Sequence, residues 1–159
     1  MTDRIFQWPA SRSYSKRPST DSVTVHCSAT PEGKSFDATD IDGWHRKQGW
    51  AGIGYHYVIH LDGSIEAGRP EDAVGAHVEG HNSTSIGVVY IGGTDALGHP
   101  KDTRTPDQKS ALKQLLVHLA AKYKLKDILG HRDWPKVAKA CPSFDVRAWV
   151  KQEGIKTHD

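Results

Sequence analysis

Alternating hydrophobic and polar positions predict most of the β-structure of this chain. The alternating stretches are residues 22–26, 55–60, 64–68 and 85–91, and a short apolar run at 128–130 adds another strand. In the first stretch, Val23 and Val25 lie on one face, and Thr24 and His26 lie on the other. Asp62-Gly63 separates the second and third stretches and predicts a hairpin turn.

Apolar residues at three- and four-residue spacing predict three helices. The first covers residues 37–48, and either Asp37 or Thr39 can cap it. The second begins at the capping box Thr105-Pro106-Asp107-Gln108 and presents a leucine-rich stripe to a sheet. Ser143 can cap the last helix. Strands mixed with helices predict an α/β or α+β domain, with a central mixed β-sheet flanked by α-helices.

Length and composition fit a single domain. The chain has 159 residues, of which 36% are hydrophobic and 25% charged, and we expect an N-terminal arm over 1–20 and a folded domain over 21–159. The net charge of +2 would favour approach to an anionic cell wall, but it does not predict direct nucleic acid binding. The sequence contains neither a membrane-spanning apolar stretch nor the apolar centre of a signal peptide. We therefore expect the chain to be made in a cytoplasm. Nothing in the sequence requires an oligomer, so we expect a monomer.

Two histidines and a cysteine follow the ends of predicted strands. His26 ends the first strand, His131 follows the run at 128–130, and Cys141 lies ten residues further on. Two imidazoles and a thiolate suit zinc, and a catalytic zinc ion takes three protein ligands. Spacing alone leaves other combinations open, because the chain has ten histidines. We expect Cys27, the other cysteine, to be buried and inert on the opposite side of its strand.

Several ordered motifs carry a resemblance to a known family. They are VHCSAT (25–30), DGWHRKQGW (42–50), GYHYVIHLDGSIEAGR (54–69), GHRDW (130–134) and KACPSFD (139–145). With the segments between them, they resemble the type 2 N-acetylmuramoyl-L-alanine amidases across residues 21–150. That family includes peptidoglycan recognition proteins, and the chain is most similar to its phage lysozyme-like endolysin branch. The resemblance implies the amidase-2 fold for residues 21–159.

The resemblance also implies an activity and a set of residues. The reaction is hydrolysis, by zinc-activated water, of the amide bond between N-acetylmuramic acid and L-alanine in peptidoglycan. The residues that match the family's sites are the zinc ligands His26, His131 and Cys141, the catalytic Tyr55 and Lys139, and the substrate-binding His77 and Asn82. Tyr55 would orient the water or the oxyanion, and Lys139 would stabilise the oxyanion. Either a neighbour such as His77 or the metal-bound water would relay a proton to the leaving nitrogen.

Three other interpretations remain open from the sequence. The chain can be a cytoplasmic wall-recycling amidase, a non-catalytic peptidoglycan-binding module, or a regulator that binds and inhibits a phage RNA polymerase. The resemblance implies peptidoglycan as the main partner and a phage RNA polymerase as a further one. It also implies that the protein waits in the host cytoplasm and reaches the cell wall at lysis.

Overall fold

The computed structural model describes residues 14–158, which form one mixed sheet, a two-stranded ladder and three α-helices. The elements in chain order are β1 (Ser22–Cys27), β2 (Thr30–Pro31), α1 (Ala38–Lys47), β3 (Tyr57–Ile59), β4 (Ile65–Ala67), β5 (Ser85–Tyr90), β6 (Gly93–Thr94), α2 (Pro106–Tyr123), β7 (Asp127–Gly130) and α3 (Val146–Gln152). A 3₁₀ turn over His131–Asp133 follows β7 directly. The predicted α+β single-domain architecture is confirmed.

The five strands of the main sheet lie in the order β4-β3-β5-β1-β7. β1 pairs in parallel with β5 and with β7, and β3 pairs in parallel with β5. β3 and β4 form the predicted antiparallel hairpin across Asp62-Gly63. Because the central strands are parallel, their carboxyl ends meet at one edge of the sheet, where α/β proteins usually place ligand sites.

Two hydrophobic clusters cover the two faces of this sheet. Along β5, Val88 belongs to the cluster formed with α2 and α3, and Val89 belongs to the cluster formed with α1. β1 follows the same alternation: Val25 and Cys27 pack toward α2 and α3, so His26 lies on the α1 side. The expectation that Cys27 is buried is therefore confirmed.

Side-chain caps begin the helices, and one predicted cap was wrong. Asp37 caps α1, and Thr105 caps α2 through the predicted capping box with Gln108. α3 is capped by Asp145, whose carboxylate accepts a hydrogen bond from the backbone N–H of Ala148. Ser143 does not cap it, because its backbone is left-handed and its hydroxyl instead donates to the Gly93 carbonyl.

Glu71 joins a loop to α2 and to the described part of the predicted arm. Its carboxylate accepts hydrogen bonds from the Tyr57 and Tyr123 hydroxyls and from the Lys122 ammonium group. The guanidinium of Arg17 donates to the Glu71 carbonyl oxygen at 2.6 Å. Residues 1–13 of the predicted arm lie outside the described residues, and the boundary at residue 20 stays a prediction. Among the helices described, none has the length and apolar character needed to cross a bilayer.

Candidate metal centre and active site

The three predicted metal ligands meet at the carboxyl edge of the sheet. The parallel register of β1 and β7 pairs Val25 with Gly130, so His26 and His131 each follow this pair by one residue. Cys141 reaches the same point from the loop after the 3₁₀ turn, and Arg132 N–H donates to its carbonyl oxygen at 2.9 Å. The ligand atoms of His26, His131 and Cys141 all lie within 4.8 Å of one another.

This geometry fits a zinc ion. A tetrahedral ion with Zn–N bonds of about 2.0 Å and a Zn–S bond of about 2.3 Å would separate a nitrogen and a sulfur ligand by roughly 3.5 Å. The distance between His26 Nδ1 and Cys141 Sγ is 3.9 Å, so a small adjustment suffices. Two nitrogens and a sulfur also match the donor preferences of zinc.

Electrostatics keep the histidines of this cluster in the neutral form that binds metals. Burial lowers the pKa of His26 well below its ordinary value, and neighbouring His77, His131 and Lys139 lower it further. Burial and the charge of Lys139 also lower the pKa of His131. A hydrogen bond with the Cys27 thiol, together with burial, raises the pKa of the Cys141 thiol. A bound cation would reverse that effect by favouring the thiolate.

His26 is also held by a second histidine. The distance between His26 Nε2 and His77 Nδ1 is 2.9 Å, and that between His77 Nε2 and the Ser85 carbonyl oxygen is 3.0 Å. Asn82 Oδ1 accepts hydrogen bonds from the backbone N–H groups of His77 and Val78. The structure therefore brings His77 and Asn82 together beside the ligand cluster.

Buried contacts also position the Cys141 loop. The backbone N–H of Cys27 points at Cys141 Sγ, with an N–S distance of 3.3 Å. The hydroxyl of the fully buried Tyr90 donates to the Pro142 carbonyl oxygen at 2.6 Å. Sequence reasoning missed these contacts, because each joins segments more than fifty residues apart.

Two cavities lie beside the ligand cluster. The wide cavity, of about 940 Å³, is lined by residues that include Trp50, His77, Asn82, His131, Lys136 and Lys139. The narrow cavity, of about 210 Å³, is lined by Ser28, Ile41, Trp44, His45, Gln48 and Tyr55. The ring centroid of His26 lies 4.9 Å from that of Tyr55 and 4.7 Å from that of His131. His131 thus lines the wide cavity, and Tyr55, which lines the narrow one, contacts the ring of His26.

The two predicted catalytic residues line different cavities beside the cluster. Tyr55 lies just before β3, which begins at Tyr57, two residues later than predicted. Its ring contacts the rings of His26 and His45. Burial raises the pKa of Tyr55, so its hydroxyl is a proton donor. Lys139 is exposed in the wide cavity and lies near enough to lower the pKa of His131.

Comparisons with known proteins identify the family. The model of the N-acetylmuramoyl-L-alanine amidase family matches residues 15–144, so the chain belongs to this amidase family, as its motifs predicted. An endolysin of Enterobacteria phage K11 is 47% identical over 146 residues, which cover 92% of this chain and 95% of that protein. An endolysin of Klebsiella phage KP32 is 45% identical with the same coverage.

A solved structure supports the same assignment. The N-acetylmuramoyl-L-alanine amidase LysC from Clostridium intestinale superposes with a TM-score of 0.82 at 26% identity. The match covers 98% of this chain and 100% of LysC. The bumblebee peptidoglycan recognition protein PGRP-SA, at 21% identity and a TM-score of 0.76, shares the fold.

Proposed function

We propose that this protein is an endolysin-type, zinc-dependent N-acetylmuramoyl-L-alanine amidase. Its substrate would be peptidoglycan, and the bond cleaved would join N-acetylmuramic acid to L-alanine. The observation that carries the proposal is the cluster of His26, His131 and Cys141, with His131 lining a wide cavity, in an amidase-family chain. The endolysins of the two phages, similar over nearly their whole length, support the endolysin assignment.

The ligand set defines what a metal would do here. When bound by these three residues, zinc would lower the pKa of a water molecule to roughly 7 and would polarise the scissile carbonyl. The neutral imidazoles of His26 and His131 are ready to bind without first losing a proton. The Cys27 N–H directed at Cys141 Sγ stabilises the thiolate form of that ligand.

Tyr55 and Lys139 supply the remaining polar groups of the proposed site. The Tyr55 hydroxyl is held protonated beside His26, so it can donate a hydrogen bond to the attacking water or to the developing oxyanion. The Lys139 ammonium group adds a positive charge on the side of His131. We assign it the stabilisation of negative charge on the carbonyl oxygen. The predicted substrate contacts of His77 and Asn82, which line the wide cavity, stay predictions.

The proposed biology follows that of a lysis enzyme. The protein would remain in the host cytoplasm and reach the wall when the membrane is breached. Binding to a phage RNA polymerase and a monomeric state stay predictions. The rival recycling role predicts a preference for soluble anhydro-muropeptides, whereas a lysis enzyme cleaves the intact wall.

The decisive experiment measures new L-alanine amino termini released from purified sacculi by mass spectrometry. We expect release by the zinc-loaded protein, loss after chelation and recovery when zinc is restored. Cys141→Ala should abolish release, and Cys27→Ala, which removes the neighbouring non-ligand thiol, should retain it. A folded, zinc-loaded protein that releases no amino termini would refute the proposal. Faster cleavage of soluble anhydro-muropeptides than of sacculi would favour the recycling role.

A further inference from the structure

The hydrogen bonds that link His26 through His77 to Ser85 include one whose direction chemistry fixes. The Ser85 carbonyl oxygen can only accept, so the nitrogen 3.0 Å away, His77 Nε2, must carry a hydrogen atom. In the neutral ring, His77 Nδ1 is then an acceptor. Its neighbour at 2.9 Å, His26 Nε2, must therefore donate. This leaves the lone pair of His26 on Nδ1, which faces Cys141 Sγ.

We infer that His77 is a positioning residue that fixes His26 as the Nε2–H tautomer and so directs the Nδ1 lone pair toward the metal. The inference rests on the proposed zinc site. Metal-bound histidines usually donate their second N–H to a carboxylate, a backbone carbonyl or water. Here the acceptor is another imidazole, which is itself oriented by the backbone of β5.

The surroundings of His77 are shaped to hold its ring in one place. A Cβ atom on Gly87 would lie 2.7 Å from His77 Cγ, and one on Gly75 would lie 2.7 Å from His77 Cδ2. While the His77 ring stays in this position, residues 75 and 87 can therefore only be glycine. Asn82 fixes the backbone at His77 by accepting its N–H at 2.8 Å.

The same contacts argue against a direct role for the His77 ring in binding substrate. Both ring nitrogens are already engaged, one by His26 and one by Ser85. The residue is also buried, with 8% of its surface exposed. A substrate-binding histidine would chiefly set KM, whereas a positioning histidine would set metal affinity and kcat.

His77→Leu and His77→Asn separate these roles. Leucine removes the acceptor and leaves the buried His26 N–H without a partner, whereas the Asn Oδ1 can occupy the place of Nδ1. We expect the zinc dissociation constant, measured by competition with a chromophoric chelator, to rise about 10- to 100-fold in His77→Leu. The zinc dissociation constant of His77→Asn should stay within about threefold of the wild-type value, because that variant retains an acceptor for the His26 N–H.

His56→Leu is the matched control. His56 is fully buried, its ring lies 5.8 Å from that of His77, and it bonds to Ala73 and Gly87 rather than to His26. Its loss should lower stability but should change zinc affinity far less than His77→Leu does, because His56 makes no hydrogen bond to His26 or His77. Wild-type zinc affinity in folded His77→Leu would overturn the inference. So would a higher KM with unchanged kcat, since that pattern indicates a substrate contact.

The metal-free wild-type protein provides a test that needs no variant. Long-range ¹H–¹⁵N spectra distinguish the two neutral tautomers, and we expect His26 to carry its proton on Nε2. A proton on Nδ1 would overturn the inference even if the protein binds zinc. Conversely, a wild-type protein that binds no zinc but shows the Nε2–H tautomer would refute the zinc proposal. The hydrogen bond from His26 to His77 would still stand.

Discussion

Glu71 offers a stability test whose size can be worked out from the structure. Burial alone would raise the pKa of this carboxyl group, but hydrogen bonds from Lys122, Tyr123 and Tyr57 outweigh it and lower the pKa to about 2. The ordinary value is 4.5, so the folded state binds the proton less tightly than the unfolded chain. Each pKa unit corresponds to about 1.4 kcal/mol, which gives an upper limit of roughly 3 kcal/mol.

Partial solvent exposure reduces that limit. The Glu71 side chain is 19% exposed and the Lys122 side chain is 50% exposed, so water screens part of the interaction. We expect the ionised Glu71 to contribute about 2 kcal/mol to the free energy of unfolding at neutral pH. Because the folded pKa is depressed, this contribution is complete above about pH 4.5 and is lost as the pH falls toward 2. Arg17, whose guanidinium lies over the Tyr123 ring, adds a positive charge that favours the same ionised state.

Urea unfolding followed by tryptophan fluorescence, at pH 7 and at pH 3, tests this expectation with Glu71→Gln. The variant should be less stable than wild type by about 2 kcal/mol at pH 7 and by roughly half as much at pH 3. Glu153→Gln removes a carboxylate from a surface pair with Lys113, 3.5 Å apart, and serves as the control with little effect. We expect wild type to lose more stability than Glu71→Gln when the pH falls from 7 to 3. If both proteins lose the same amount, the reasoning is refuted.

Two further predictions concern catalysis and helix capping. Lys139→Met keeps an unbranched side chain one atom shorter but removes its charge, so kcat should fall about 100- to 1,000-fold with zinc content unchanged, as for other lost oxyanion-stabilising groups. Unchanged kcat would exclude the proposed role, and Lys136→Met, in the same cavity, is the matched control. Thr105→Ala should destabilise the protein by about 1 kcal/mol in thermal unfolding, because it leaves the Gln108 N–H without its cap. Thr105→Ser, which retains the hydroxyl, should recover most of that loss.

The strands and helices were predictable because their signals are local. Alternation in β1, the Asp62-Gly63 turn and the Thr105 capping box each lie within a few residues, and all three form as expected. The Ser143 cap failed for an equally physical reason. The loop after Cys141 holds that residue in a left-handed conformation, which a sequence pattern does not reveal.

The candidate site was predictable only in part. The ligand trio was assigned from strand ends together with family motifs, and the structure brings all three side chains together. The partner of His26 was not predictable, because the contact depends on how the loop before β5 folds back over the sheet. Gly75 and Gly87 likewise gave no signal, since only the folded packing shows which ring they accommodate.

The pairing of β1 with β7 determines which insertions and deletions the site can tolerate. His26 and His131 lie about one hundred residues apart in the chain, yet backbone hydrogen bonds between adjacent strands set their separation. Insertions or deletions in the exposed loop around Leu97 would therefore leave the distance between the two ligands unchanged. A slip of one residue between β1 and β7 would instead turn one ligand toward the opposite face of the sheet. Connections such as the loop around Leu97 can thus change in length without altering the spacing of His26 and His131, whereas the loop that carries Cys141 cannot vary as freely.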